Sequence, residues 1–171
     1  IEISVTPNEG YHFVGWSDGD TAIVRKIVVT SDLVLFADIQ INVYSVVLTA
    51  ANATIVGAGQ YEHGTQITIH VTPNEGYSFV GWSDGELQST RTFIVTSDIE
   101  LYANILINEY DLVLSAENGT ITNAGKYEHG DTITVSAIPN DGYHFVRWSD
   151  GNRNAEREIV ANVVKYNDVE Y

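Results

Sequence analysis

Cysteine is absent from the 171 residues, so neither disulfides nor thiolate metal sites can hold the chain together, and its stability must come from packing and strand pairing. Positive charge is scarce: eight Lys and Arg stand against 23 Asp and Glu, a formal net charge of −15. A field of that sign repels phosphate backbones and anionic membrane surfaces, which argues against nucleic acid as a partner. The carboxylates are scattered along the chain and read as a solvated surface. No apolar run approaches the roughly 20 residues that span a bilayer, so no membrane insertion is expected within this segment. The i, i+3, i+4, i+7 apolar spacing of an amphipathic helix is likewise missing over any stretch of about ten residues. Proline occurs three times only.

Those three prolines carry the most information. Pro7, Pro73 and Pro139 stand 66 residues apart, as do Trp16, Trp82 and Trp148. The phrase PNEGYHFVGWSDG at 7–19 returns as PNEGYSFVGWSDG at 73–85 and as PNDGYHFVRWSDG at 139–151. A fixed period of this kind marks an array in which each copy is a supersecondary unit or small domain, so function is expected to reside in the array and not in one singular catalytic site. The chain divides into the later part of a first repeat at 1–41, a complete repeat at 42–107 and a third at 108–171 that diverges after Gly151. It opens in mid-repeat and reads as a cut piece of a longer array.

The complete copy reads as strands throughout. Residues 44–49 are β-branched and apolar, and Asn52-Ala53-Thr54, which becomes Asn118-Gly119-Thr120 in the next copy, signals a hairpin returning through 54–56. Tyr61-Glu62-His63-Gly64 reads as a turn into 65–72, where Ile67, Ile69 and Val71 alternate with Thr68, His70 and Thr72. That period of two puts one face on a core and the other in water. Pro73-Asn74-Glu75-Gly76 breaks the strand, since proline cannot donate to a ladder and glycine can take a positive φ. Strands are expected again at 77–82, 90–96 and 99–105, with at most one helical turn near 86–90. Copies are joined by 105–110, which holds no Gly, Ser or Pro and so cannot behave as a flexible coil. Ile39, Ile41, Leu106 and Ile107 lie near these junctions, and at about 25 cal/mol per Å² of apolar surface they are expected to be at least partly buried between neighbours. In the third copy Lys165 falls where the other copies have an apolar strand, and 168–171 resembles 107–110 as though another copy began there.

These blocks resemble the InlB B-repeat, or Listeria-Bacteroides repeat, in its divergent branch. The matching elements are Tyr61-Glu62-His63-Gly64, the Gly-Tyr-x-Phe-x-Gly-Trp order within 73–82, and the segment from Val95 to Ala103, each recurring at the same interval. The resemblance implies a module of exported bacterial proteins, carried in tandem at the cell surface or secreted, without catalytic activity or cofactor. It also implies a mainly β fold: an elongated tandem array of small modules, β-grasp-like or small β-sandwiches. The stretch 85–95 is short and lacks helical periodicity, which places the helix of a true β-grasp in question.

Candidate chemistry is sparse. Tyr77, Phe79 and Trp82 could form a sugar platform, but a unit this small needs large aromatics for its core. Tyr61 and Tyr127 in their turns are the rings expected to be exposed, and with His63 and His129 they are the candidate binding residues for a host protein or glycan. Asp18-Gly19-Asp20 and Asp84-Gly85-Glu86 could offer oxygens to calcium, yet a tight turn explains the same residues and no known calcium-loop spacing matches. His63 and His129 each stand without a second His or Cys at ligand spacing, which disfavours zinc. Ser83, Asp84 and His70 supply the components of a hydrolytic site without its nucleophile elbow. No lysine recurs at the period, which excludes a Lys–Asn cross-link shared by all copies. The function expected is a semi-rigid stalk whose partners are the neighbouring repeats of the same chain. The alternatives are an adhesive repeat acting by multivalency and self-association into a filament or matrix.

Overall fold

The computed structural model describes residues 1–162, and every regular element among them is a β-strand. Lys165 and the 168–171 segment lie outside the described residues. In chain order the strands are β1 (Glu2–Ser4), β2 (Tyr11–Trp16), β3 (Val24–Lys26), β4 (Ala37–Ile41), β5 (Val43–Ala50), β6 (Ala53–Val56), β7 (Gly59–Glu62) and β8 (Gln66–Pro73). They continue as β9 (Tyr77–Trp82), β10 (Thr90–Ile94), β11 (Ile99–Ile107), β12 (Glu109–Leu112), β13 (Gly119–Ile121), β14 (Gly125–Glu128), β15 (Thr132–Pro139) and β16 (Glu156–Val160). The described chain forms two compact units, one of residues 1–72 with 81–104 and one of 73–80 with 105 onward.

The second repeat, most of which lies in the first unit, is built from two sheets. One runs β10-β8-β6 and the other β7-β5-β11-β9. β5 pairs antiparallel with β7 and parallel with β11, Ile99 opposite Val46 through Ala103 opposite Ala50. Parallel neighbours need a long crossover, and here the whole intervening hairpin set supplies it. The Asp98 carboxylate accepts the Ser45 N–H at 2.8 Å and closes the start of that ladder. The core comes from both sheets: Ile67, Ile69 and Val71 of β8, Val46 of β5, Leu101 and Ala103 of β11, with Val95 and Trp82. Ile69 has no exposed surface and Trp82 only 1%. Trp82 is therefore a core side chain, as its place at the end of an aromatic strand implied. The first repeat adds the ladders β1-β3 and β2-β4 to this unit.

In the second unit β13-β15-β16 and β12-β14 repeat part of this plan. Ile133 and Val135 are buried on β15, the positions that Ile67 and Ile69 occupy on β8 one period earlier. Tyr110 pairs with Tyr127 across β12 and β14 as Tyr44 pairs with Tyr61 across β5 and β7.

Several expectations are corrected. The Asn52 turn does not close a laddered hairpin: β5 and β6 lie in different sheets, and the turn carries the chain from one to the other. Asn52 and Asn118 both take φ 55°, the left-handed conformation that asparagine tolerates. The segment read as a turn at 61–64 is half strand, because β7 extends through Glu62 and only His63-Gly64 turns. At 86–90 no helical turn forms, which lies within the upper limit of one set by the sequence. Of the junction residues, Ile41 and Ile107 are half-buried, whereas Ile39 and Leu106 are exposed, Leu106 by 60%. The period of two decides the latter, since Ile105 and Ile107 take the inward face of β11 and Leu106 is left outside.

Truncating Ile69 to Ala is expected to lower the unfolding free energy by about 2–5 kcal/mol, as for other fully buried aliphatics. Val28→Ala, at a position 86% exposed, should change it by no more than about 0.5 kcal/mol. Urea unfolding curves of the two variants check the contrast.

Candidate functional site

Two polar constellations recur at the period. The first closes the Trp-Ser-Asp-Gly turn. Indole Nε1 of Trp16, Trp82 and Trp148 donates to the carbonyl six residues on, at Ala22, Gln88 and Asn154, over 2.8, 2.9 and 2.7 Å. The carboxylates of Asp18, Asp84 and Asp150 accept from the guanidinium seven residues on, at Arg25, Arg91 and Arg157. Each also accepts the N–H two residues ahead, from Asp20, Glu86 and Asn152. The arginine sits over an aromatic ring as well, Arg25 above Trp16 and Arg91 above Phe93. The hydrogen bond from Arg25 holds the Asp18 carboxyl down at about 2, with the Asp20 N–H adding to it. Asp84 and Asp150 are lowered by the equivalent arginine and backbone donors.

The carboxylates weighed as calcium ligands are thus committed to arginine and to turn amides. Among the described residues no three His, Cys, Asp or Glu side chains converge as a metal set. The arginines were missed in the sequence although they recur at 25, 91 and 157; the period that marked the tryptophans marks them too.

The second constellation lies where one copy meets the next. In the first unit the Asn42 N–H donates to the Gly10 carbonyl and the His63 N–H to the Asn42 carbonyl, both at 2.8 Å. His12 Nδ1 lies 2.8 Å from Asn42 Oδ1, and the Asn42 amide donates to the Tyr44 hydroxyl at 3.3 Å. The second unit repeats this: Asn108 N–H to Gly76 carbonyl and His129 N–H to Asn108 carbonyl, again 2.8 Å each. Ser78 stands where His12 does and its hydroxyl donates to Asn108 Oδ1. These bonds explain why residues 73–80, second-repeat by sequence, group with the third repeat in space.

The four candidate binding residues sit in or beside these joints, and all are half-buried. The Tyr61 hydroxyl donates to the Gly57 carbonyl at 3.1 Å and the Tyr127 hydroxyl to that of Asn123 at 2.8 Å. The His63 ring lies 6.0 Å from that of Tyr44, and His129 lies 6.1 Å from Tyr110. Ser83 and His70 do not come together: the Ser83 hydroxyl accepts the Tyr102 N–H, while the two His70 nitrogens face Thr90 and Thr72. Trp148 lines a groove of about 460 Å³ with Val113, Ile138 and Phe145, where Glu117 is the one acid.

The chain belongs to the divergent InlB B-repeat domain family, whose model matches residues 1–37, 44–106 and 110–169, one match to each copy. A protein of Evansella cellulosilytica named "Putative membrane protein" is 33% identical over 150 residues, covering 82% of this chain and 23% of its own length. A second from the same organism, named "Putative Gly-rich membrane protein", is 31% identical over 157 residues, covering 82% and 18%. The chain therefore spans less than a quarter of either relative. Among the described residues no helix is long and apolar enough to cross a membrane, which says nothing of a β-barrel.

The depressed carboxyls set an acid dependence. Asp18 sits at about 2 against an ordinary 3.8, so its ion pair contributes in full above pH ~4, and that contribution is lost as the pH falls towards ~2. The melting temperature is expected to drop across that window. The triple variant Asp18→Asn, Asp84→Asn, Asp150→Asn should flatten this part of the drop; thermal melts of both proteins from pH 5 to pH 2 provide the check.

Proposed function

We propose that this chain is a non-catalytic stalk segment of a bacterial cell-surface protein, whose repeats hold a distal domain away from the cell. The observation that carries this reading is the joint: the same asparagine, histidine and glycine make the same backbone bonds at both junctions, at 2.8 Å throughout. A joint with several fixed hydrogen bonds and no Gly, Ser or Pro linker limits bending, because a flexible coil would need free backbone dihedrals that these bonds remove. Paired strands resist extension, and a charge of −15 keeps neighbouring stalks apart. The relatives' names place them at a membrane, and family membership supports an exported setting.

An adhesive reading would have each copy present the same weak site to a host protein or glycan, gaining avidity from number. Tyr61, His63, Tyr127 and His129 would form that site, and their engagement in turns and joints favours the spacer reading over it. Self-association through strand edges stays the alternative assembly.

Small-angle scattering on a series of proteins with increasing repeat number tests the stalk. The maximum dimension should grow by a constant step per repeat, and a compact particle, or growth with the square root of repeat number, would refute it.

A further inference from the structure

The two joints share a contact that hydrogen bonding does not account for. The imidazoles of His63 and His129 lie flat against the bare Cα of Gly10 and Gly76, the last residue of the Pro-Asn-Glu-Gly turn in the preceding copy. A methyl group on Gly10 would stand 2.8 Å from His63 Nε2, and one on Gly76 2.6 Å from His129 Nε2, with Cδ2 and Cγ closer still in each case. Both glycines are buried, with φ of 79° and 80°.

Nδ1 differs between the joints. In His63 it is buried without a hydrogen-bond partner, whereas in His129 it lies 3.4 Å from the Tyr110 hydroxyl. The rings nevertheless take the same pose, each inclined at 58° to its tyrosine neighbour. Shape, and not a bond to the ring, is what the joints have in common.

The third copy provides the comparison. Gly142 ends the same turn with φ 81°, yet it is exposed, and among the described residues no atom lies within 4 Å of where its Cβ would be. The turn therefore takes its form without a histidine over it. Two residues on, His144 holds the place from which His12 reaches the joint asparagine.

We propose that the Pro-Asn-Glu/Asp-Gly turn is a preformed socket for the imidazole of the following repeat, and that this histidine-on-glycine interlock fixes how each repeat seats on the one before. Its partner is a repeat of this same family carrying a Tyr-Glu-His-Gly turn, with an asparagine 21 residues before the histidine, as at 42 and 63 and at 108 and 129. Among the described residues nothing stands over Gly142, whose φ matches that of the two covered glycines. Glycine is needed at the covered positions for two separable reasons, the left-handed φ and the space for the ring. A histidine seated on the turn also shields the asparagine–glycine backbone bond from water, which is where loosening would register first.

The inference rests on the stalk reading for its purpose only, and its test is read on the 171-residue chain itself. Gly76→Ala and Gly142→Ala impose the same φ penalty, but only the former meets a ring. Amide hydrogen exchange followed by NMR should show the Asn108 and His129 amides exchanging roughly tenfold faster or more in Gly76→Ala, and unchanged in Gly142→Ala. Adding His129→Ala to Gly76→Ala should remove the clash and bring exchange back to the level of His129→Ala alone. Should Gly76→Ala fail to fold, His129→Ala alone is expected to speed exchange at Asn108 while leaving Val135 in the core of the third copy unchanged. Equal losses of melting temperature in Gly76→Ala and Gly142→Ala, or an undisturbed Asn108 amide in a folded Gly76→Ala or His129→Ala variant, would overturn the interlock. A compact particle in scattering beside the expected exchange result would remove the stalk and leave the interlock standing.

Discussion

With no cysteine to cross-link it, the complete repeat depends on burying one face of a single strand. Ile67, Ile69 and Val71 point inward from β8, and Val46, Leu101, Ala103 and Trp82 from the other sheet join them in one core. A unit of this size has little apolar area to spare, and its indole with Val46, Val71 and Val95 is committed to the core. The parallel pairing of β5 with β11 follows from that need. It brings the first and last strands of the repeat side by side, so this pairing uses the whole period.

Around that core the turns are closed by polar groups at fixed offsets. The indole Nε1 is satisfied by a carbonyl six residues on, which lets the ring enter the core without leaving a donor unpaired. The aspartate of the same turn is held by an arginine seven residues on, on the neighbouring strand. The recurring acids and aromatics, which in another setting would mark a binding site, here close turns and fill the interior. At the joints backbone groups of asparagine, histidine and glycine bond one copy to the next, with side-chain bonds to the same asparagine beside them.

Much of this was legible in the sequence, and the reason is local. Alternation in 65–72 reads out directly as a half-buried strand, and Pro-Asn-Glu-Gly and Ser-Asp-Gly break strands by their own backbone preferences. Trp82 at the end of an aromatic run could be placed in the core before any coordinates. What could not be read were features that depend on a distant partner. β7 is short and polar, and it is a strand only because β5 lies beside it. The Asn52 turn looks like a hairpin in sequence, but the sheet to which β6 belongs is decided by β8. Arg25, Arg91 and Arg157 recur at the period and were visible in principle; their pairing with Asp18, Asp84 and Asp150 needed the turn between them to be closed.

By itself, then, the sequence determined the repeat, its strand content, its breaks and the inward placement of its largest ring, because each of these follows from neighbours a few residues away. Only the tertiary structure decided which sheet each strand joins and that His63 covers Gly10, because such contacts join residues as much as 53 positions apart, and their energies exist only once both surfaces have formed.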